Sequence, residues 1–176
     1  WLDSTPCLFF SGQVKRSDSA RYTPLRQLGV QELDIVSIVT AVTKYAVTVS
    51  DPSTIRFHLE KATHLARSGR PGPVWLDIPL DVQAAEIDLE TLSGYVPEPV
   101  AAQGGLLQQS VAQTLQALAR AERPIILVGN GVRLAGAEQA FVELAEAMGV
   151  PVLTTRLGVD LFPYAHELHV GMPGMI

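Results

Sequence analysis

Residues 65–83 read Leu-Ala-Arg-Ser-Gly-Arg-Pro-Gly-Pro-Val-Trp-Leu-Asp-Ile-Pro-Leu-Asp-Val-Gln, and they carry the clearest structural signal of the chain. A helical pattern stops at Gly69, because glycine readily adopts the left-handed conformation that closes a helix. Pro71 and Pro73 cannot continue a helix, since proline lacks the backbone N–H and clashes with the preceding turn. A short apolar strand follows at residues 74–78. The stretch therefore predicts the end of an α/β unit.

The residues before this stretch alternate between strand and helix patterns. Residues 45–49 are β-branched and aromatic, which favours a strand. Residues 6–12 read as a buried strand that ends in a glycine turn. Residues 33–42 and 52–68 carry apolar side chains at helical spacing, whereas residues 14–30 are polar and indicate a loop. Strands that alternate with helices predict a parallel α/β sheet.

The character of the chain changes at residues 84–106, where acidic residues, prolines and Gly104-Gly105 predict a surface linker. We therefore expect one domain over residues 1–83 and a second, Rossmann-like domain over residues 107–176. The overall prediction is an α/β fold made of parallel-sheet, three-layer αβα units. The elements predicted for the second domain are a helix at 107–121, a strand at 125–128, a helix at 135–148 and a strand at 150–154.

The composition excludes several classes of protein. Of the 176 residues 47% are apolar and 18% are charged, so the chain can bury a core. The net charge of −5 argues against a nucleic-acid or anionic-membrane partner, which would favour a basic face. The apolar runs are too short to span a bilayer. With one cysteine and no secretory signal pattern, the chain is expected to be soluble and cytoplasmic.

Gly129-Asn130-Gly131 lies between a predicted strand and a predicted helix. Glycines at such a turn let the backbone approach a phosphate or a ribityl group. The next glycine, Gly136, does not complete the G-x-G-x-x-G spacing, so the pattern is also compatible with a tight turn that binds nothing.

Three further features have an ordinary structural interpretation. The sequence His166-Glu167-Leu168-His169 is not H-E-x-x-H, and we expect a solvated loop and no metal site. Cys7 is expected to be a buried, inert thiol. Glu32, before an apolar helix, suits the positive end of the helix dipole, although the Gln31-Glu32 pair is also compatible with a functional role.

Several segments resemble, in the same order, thiamine-diphosphate-dependent enzymes, above all the acetolactate synthase group. The 65–83 block is the most specific of them, because it resembles the close of the pyrimidine-binding domain. The other matching segments are Ser11-Gly12-Gln13-Val14, Gln31-Glu32 with Val42-Thr43-Lys44 downstream, residues 123–131, Pro151 to Thr155 and Gly171 to Met175.

The resemblance implies that the chain runs from the second half of the pyrimidine-binding domain into most of the central domain. The intact enzyme would bind thiamine diphosphate and Mg²⁺, decarboxylate a 2-oxo acid and pass on a two-carbon unit. The activating glutamate and the Gly-Asp-Gly motif would lie outside residues 1–176, so the chain is expected to be an inactive piece of a longer protein. Family active sites form between two chains, which implies a homodimer or a homotetramer.

The resemblance also implies roles for individual residues. Gln31 would bind the reacting carbonyl, and Gly12, Gln13 and Val14 would line the substrate pocket. Gly129, Asn130, Gly131 and Thr154 would lie where acetolactate synthases hold FAD.

Two departures from the family pattern bear on these roles. Val30 stands where the family has phenylalanine, which leaves the choice of 2-oxo acid open. Around residues 95–97 no arginine matches the one that holds FAD, so both a flavin-bound and a flavin-free domain are compatible with the sequence. The alternative prediction for the whole chain is a nucleotide-binding, flavin-binding or purely structural α/β module without catalysis.

Overall fold

The computed structural model describes residues 1–21, 23–99 and 104–174. The chain divides into two compact units, residues 1–99 and residues 100–176. Both contain a parallel sheet with helices, which confirms the α/β prediction. Within the described residues, no helix has the length and apolar character that crossing a membrane requires.

The first unit contains a three-stranded parallel sheet whose strands lie in the order β1 (Leu8–Gln13), β3 (Val74–Pro79), β2 (Tyr45–Thr48). The predicted strands and helices are present, although the helix at 33–42 is shorter and continues as a 3-10 turn at Thr40–Val42. The elements are β1 (Leu8–Gln13), α1 (Ile35–Val39), β2 (Tyr45–Thr48), α2 (Ile55–Arg67), β3 (Val74–Pro79) and α3 (Leu80–Gln83).

The core of this unit lies between α2 and β3. Ala62 and Ala66 of α2 pack with Val74 and Leu76 of β3, and all four are buried. Small side chains on the helix let it approach the central strand closely. Gly69 has φ of 55°, the left-handed conformation expected from the sequence. The chain therefore leaves α2 at Gly69 and continues as β3, which packs against that helix, as the 65–83 stretch predicts.

The prediction of a buried first strand was wrong. Phe9 and Phe10 of β1 are 43% and 54% exposed, and Cys7 is half-buried rather than fully buried. The cause is the position of β1 at an edge of the sheet formed by the described residues, where α2 covers β3 and leaves β1 largely open. Phe9 stacks on Trp75 with ring centroids 5.1 Å apart, so part of one face is still covered.

The second unit contains a parallel sheet whose strands lie in the order β4 (Ile126–Val128), β5 (Val152–Thr154), β6 (His169–Gly171). The predicted helix at 135–148 is present but begins at Glu138, and a short helix that was not predicted, Gly131–Leu134, precedes it. Gly136, with φ of 62°, separates the two helices. Strand β6 was not predicted from the sequence. The elements are α4 (Gly104–Arg120), β4 (Ile126–Val128), α5 (Gly131–Leu134), α6 (Glu138–Met148), β5 (Val152–Thr154) and β6 (His169–Gly171). Part of the predicted linker, residues 100–103, lies outside the described residues.

Candidate functional site

The carboxyl ends of the strands in the first unit converge on one buried carboxylate. Asp77 on the central strand is 1% exposed. Ser11 Oγ, from β1, donates a hydrogen bond to its Oδ1 at 2.6 Å. Gln13 Nε2 and Thr48 Oγ1 both donate to its Oδ2 at 3.2 Å. The parallel register explains the meeting, because Ser11 and Thr48 both lie directly opposite Asp77.

The side-chain amide of Gln13 makes three hydrogen bonds. Besides Asp77, its Nε2 donates to the carbonyl oxygen of Leu33 at 2.7 Å. Its Oε1 accepts from the backbone N–H of Val14 at 3.1 Å. Both N–H groups of the amide are therefore used, and its oxygen is fixed toward the backbone of Val14.

A segment that we call the roof, the described residues between Lys15 and Asp34, covers this end of the sheet. The Glu32 carboxylate holds it together by accepting from Ser19 Oγ and from the N–H groups of Ala20, Leu28 and Gly29 at 2.6–3.3 Å. These hydrogen bonds, that from Leu28 foremost, lower the pKa of Glu32 to about 2. The expectation that Glu32 serves the helix dipole was wrong. Asp34 caps α1 instead, by accepting from the backbone N–H of Ser37.

A cavity of about 480 Å³ lies beneath the roof. Gln13 and Thr48 contribute strand-end polar groups to its lining, and Arg26 and Glu32 contribute from the roof. In open parallel sheets, ligands bind in the crevice outside the carboxyl ends of the strands. The cavity therefore occupies the position in the first unit where a ligand is expected.

Arg16 fixes the start of the roof, and no sequence pattern singles it out. Its Nε lies 2.6 Å from Asp81 Oδ2, and its backbone N–H donates to Asp81 Oδ1 at 3.0 Å. One of its terminal nitrogens donates to the carbonyl oxygen of Ser50 at 2.8 Å. The hydrogen bond from Arg16 is also the main cause of the lowered pKa of Asp81. One exposed arginine thus ties the exits of all three strands together.

The structure brings together some of the site residues predicted for this unit. Gln13 lines the cavity, and Val14 follows it in the chain. Gly12 lies beside Gln83, whose Nε2 would be 3.2 Å from an added Cβ atom. Gln31 is exposed and is not among the residues that line the cavity. Asp77, Thr48 and Arg16 were missed, because their meeting depends on the register of strands that are distant in sequence.

In the second unit, the Gly129-Asn130-Gly131 turn follows β4 directly. Its neighbour across the sheet is Thr154, which pairs with Val128 and is fully buried. Thr154 Oγ1 has no hydrogen-bond partner among the described residues. The Asn130 side chain accepts from Arg133 at 3.0 Å. A glycine turn whose backbone a ligand can approach and the unused, buried Thr154 hydroxyl therefore lie at the same edge of the sheet.

The expectation of a solvated loop holds only in part: His166 lies in a turn, but it and His169 are half-buried. The His166 ring lies 4.7 Å from the Phe162 ring, and its Nε2 lies 3.2 Å from Glu146 Oε1. His169 begins β6. Both histidine rings contact the buried Phe162, which explains why they are half-buried. No group of three or more metal-ligating side chains occurs in the part of the chain that is described.

The chain is similar in sequence and in fold to known proteins. The family described as "Thiamine pyrophosphate enzyme, central domain" matches residues 111–176. The acetolactate synthase large subunit of Corynebacterium glutamicum is 40% identical over 99% of this chain and 27% of its own length. The glyoxylate carboligase of Escherichia coli O157:H7 is 39% identical over 98% of this chain and 28% of its own length.

A solved structure is also similar. It is an X-ray structure from Mycobacterium smegmatis, described as a candidate thiamin diphosphate-dependent enzyme. The TM-score is 0.74 at 26% identity, over 98% of this chain and 32% of that one. The chain thus spans less than a third of the length of these relatives. Over almost its whole length the chain is therefore similar to segments of an acetolactate synthase large subunit and of a glyoxylate carboligase, and residues 111–176 match the central domain of thiamine pyrophosphate enzymes.

Proposed function

We propose that this chain acts within a longer polypeptide as part of a thiamine-diphosphate-dependent carboligase that uses a 2-oxo acid. The observation that carries the proposal is the cavity under the roof, where Gln13 and Thr48 present polar groups at the carboxyl ends of two parallel strands. The relatives in the comparisons carry the names acetolactate synthase and glyoxylate carboligase, and both match along nearly the entire chain.

The residues of this chain would bind and orient the substrate. Gln31, exposed beside the roof's Glu32, would donate a hydrogen bond to the reacting carbonyl, and Gly12, Gln13 and Val14 would form the adjoining wall. The amide and hydroxyl groups that line the cavity suit a small polar substrate. Thiamine diphosphate, bound with Mg²⁺, would supply the electron sink that decarboxylation of a 2-oxo acid needs. Gln31 and Gln13 are the groups of this chain that would face it.

The domain assignment belongs to the same proposal. Residues 1–83 would be the second half of a pyrimidine-binding domain, residues 84–106 a linker, and residues 107–176 the central domain. The intact protein would be a cytoplasmic homodimer or homotetramer. The division of the structure near residue 99 is compatible with this assignment.

Product analysis tests the proposed substrate class. The full-length polypeptide that carries this segment would be incubated with thiamine diphosphate and Mg²⁺, and with pyruvate or glyoxylate in parallel. The proposal expects CO₂ release together with a carbon–carbon coupled product from at least one of them. Decarboxylation without any coupled product, or turnover of neither acid, would exclude a carboligase of these two types.

A second function rests on the orphan hydroxyl of Thr154. We propose that the edge formed by Gly129, Asn130, Gly131 and Thr154 binds a flavin or another nucleotide, with the Thr154 hydroxyl completing a hydrogen bond to it. Titration with FAD, followed by the quenching of flavin fluorescence, tests this. Binding that weakens in Thr154→Val, and that stays unchanged in the control Thr114→Val on α4, would support the proposal. Equal affinity in Thr154→Val would contradict the role of the hydroxyl.

A further inference from the structure

Asp77 controls the hydrogen-bonding character of the cavity floor. Its carboxylate can only accept, so every group that touches it must donate. Oδ1 accepts from Ser11, whose hydroxyl oxygen in turn accepts from Trp75 Nε1 at 2.9 Å. Oδ2 accepts from Gln13 and Thr48, the two strand-end residues that line the cavity. One carboxylate oxygen is therefore devoted to the cavity floor.

The side-chain hydrogen-bond donors of Thr48 and Gln13 are already used within the protein. Thr48 has a single hydroxyl hydrogen, and Asp77 receives it. Gln13 has two amide hydrogens, one directed to Asp77 and the other to the Leu33 carbonyl. Neither residue has a donor left for a ligand, whereas both keep oxygen lone pairs. The floor is therefore a hydrogen-bond acceptor, and it is matched to a ligand group that donates.

We infer that Asp77 is a positioning residue that makes the Gln13–Thr48 floor bind the hydroxyl of a ligand, while the keto and carboxylate oxygens of a 2-oxo acid bind elsewhere in the cavity. The inference rests on the proposed function and deepens it, because coupling of a 2-oxo acid creates a hydroxyl on the product. A hydroxy acid has the complementary groups, since its hydroxyl donates to the floor and Arg26, which lines the same cavity, supplies positive charge for its carboxylate.

A buried carboxylate is costly unless its hydrogen bonds are satisfied. An apolar residue at position 77, with apolar neighbours, would hold the three strands together at a smaller desolvation cost. Unlike an apolar residue, the Asp77 carboxylate fixes the direction in which Gln13 and Thr48 donate their hydrogen bonds. The arrangement of donors is thus better explained by ligand selection than by packing.

The experiment compares two small probes, lactate and propionate, which differ in a hydroxyl group. Their dissociation constants for the full-length polypeptide would be measured by ligand-observed NMR, which requires no turnover. We expect lactate to bind about fivefold more tightly, as one net hydrogen bond allows. Asp77→Asn places a donor toward Gln13 and Thr48, so the lactate preference should fall to within about twofold of unity.

Ser11→Ala is the matched control, because it removes an Asp77 partner that does not line the cavity, and it should keep the preference. A preference that persists in Asp77→Asn, or that Ser11→Ala abolishes equally, would overturn the inference. If Asp77→Asn does not fold, Thr48→Val removes one floor acceptor and must lower the preference, and an unchanged preference there would also overturn it. Because binding is measured without catalysis, the result is separate from that of the carboligase assay.

Discussion

The Nζ atom of Lys44 lies 2.6 Å from the carbonyl oxygen of Ser68, at the end where α2 finishes and β2 begins. The backbone N–H of Lys44 also donates to the carbonyl of Pro73, one residue before β3. Two segments that carry the family resemblance, Val42-Thr43-Lys44 and the 65–83 block, are therefore joined at the amino-terminal edge of the sheet. The first part of the 65–83 block is thus scaffold at this edge, whereas Asp77 and Asp81 of the same block lie at the opposite edge, where the cavity is.

Removing the Lys44 ammonium should loosen the end of α2. In Lys44→Met the Ser68 carbonyl loses a donor, and a hydrogen bond of this kind contributes about 1 kcal/mol. Hydrogen exchange of peptides from residues 64–72 in the full-length polypeptide should become roughly fivefold faster. Lys15→Met, which changes an exposed lysine, is the control. Unchanged exchange in Lys44→Met would mean that the contact does not hold the helix end.

The roof should open when the Glu32 carboxylate is replaced. Glu32→Gln keeps the shape of the side chain but replaces one acceptor oxygen with a donor, which then faces backbone N–H groups. Trypsin should cleave after Arg26 at least several-fold faster in this variant, because the segment loses its central anchor. Glu86→Gln, at an exposed carboxylate, should behave as the wild type. Equal cleavage in all three proteins would contradict the anchoring role.

The same carboxylate gives the roof a defined pH dependence. The pKa of Glu32 is lowered from 4.5 to about 2 by hydrogen bonds that the unfolded chain does not make. Its stabilising contribution is therefore complete above about pH 4.5 and is lost as the pH falls through about 2. Pepsin cleavage near Leu28 tests this. Wild type should be more resistant than Glu32→Gln at pH 4.5, and the difference should vanish near pH 2. A difference that is constant over this range would refute the linkage.

The open face of β1 predicts that the isolated 176-residue chain associates. An exposed strand edge with Phe9 and Phe10 on its surface favours pairing with other chains. Light scattering during size-exclusion chromatography should show species larger than 19.0 kDa. Phe10→Lys should shift the distribution toward the monomer, because the new charge opposes edge pairing. A monodisperse, cooperatively folding wild-type monomer would contradict the prediction.

The elements that could be predicted from sequence are those with local signals. The Gly69 helix end, the α2 pattern and the β3 strand were confirmed because proline, glycine and apolar spacing act over a few residues. The exposure of β1 depends on which strands lie beside it, which a local pattern does not encode. The Asp77 network was missed for the same reason. Its donors come from positions 11, 13 and 48, which only the parallel register brings together.

The first measurement to make is whether turnover depends on thiamine diphosphate. CO₂ release from pyruvate and from glyoxylate would be measured for the full-length polypeptide, depleted of cofactors and then supplied with Mg²⁺ alone or with Mg²⁺ and thiamine diphosphate. Gln31→Ala, assayed alongside, reports whether this segment contributes to the reaction. The account predicts turnover that requires thiamine diphosphate and that falls at least tenfold in Gln31→Ala. Turnover independent of thiamine diphosphate, or an unaffected Gln31→Ala enzyme, would contradict it.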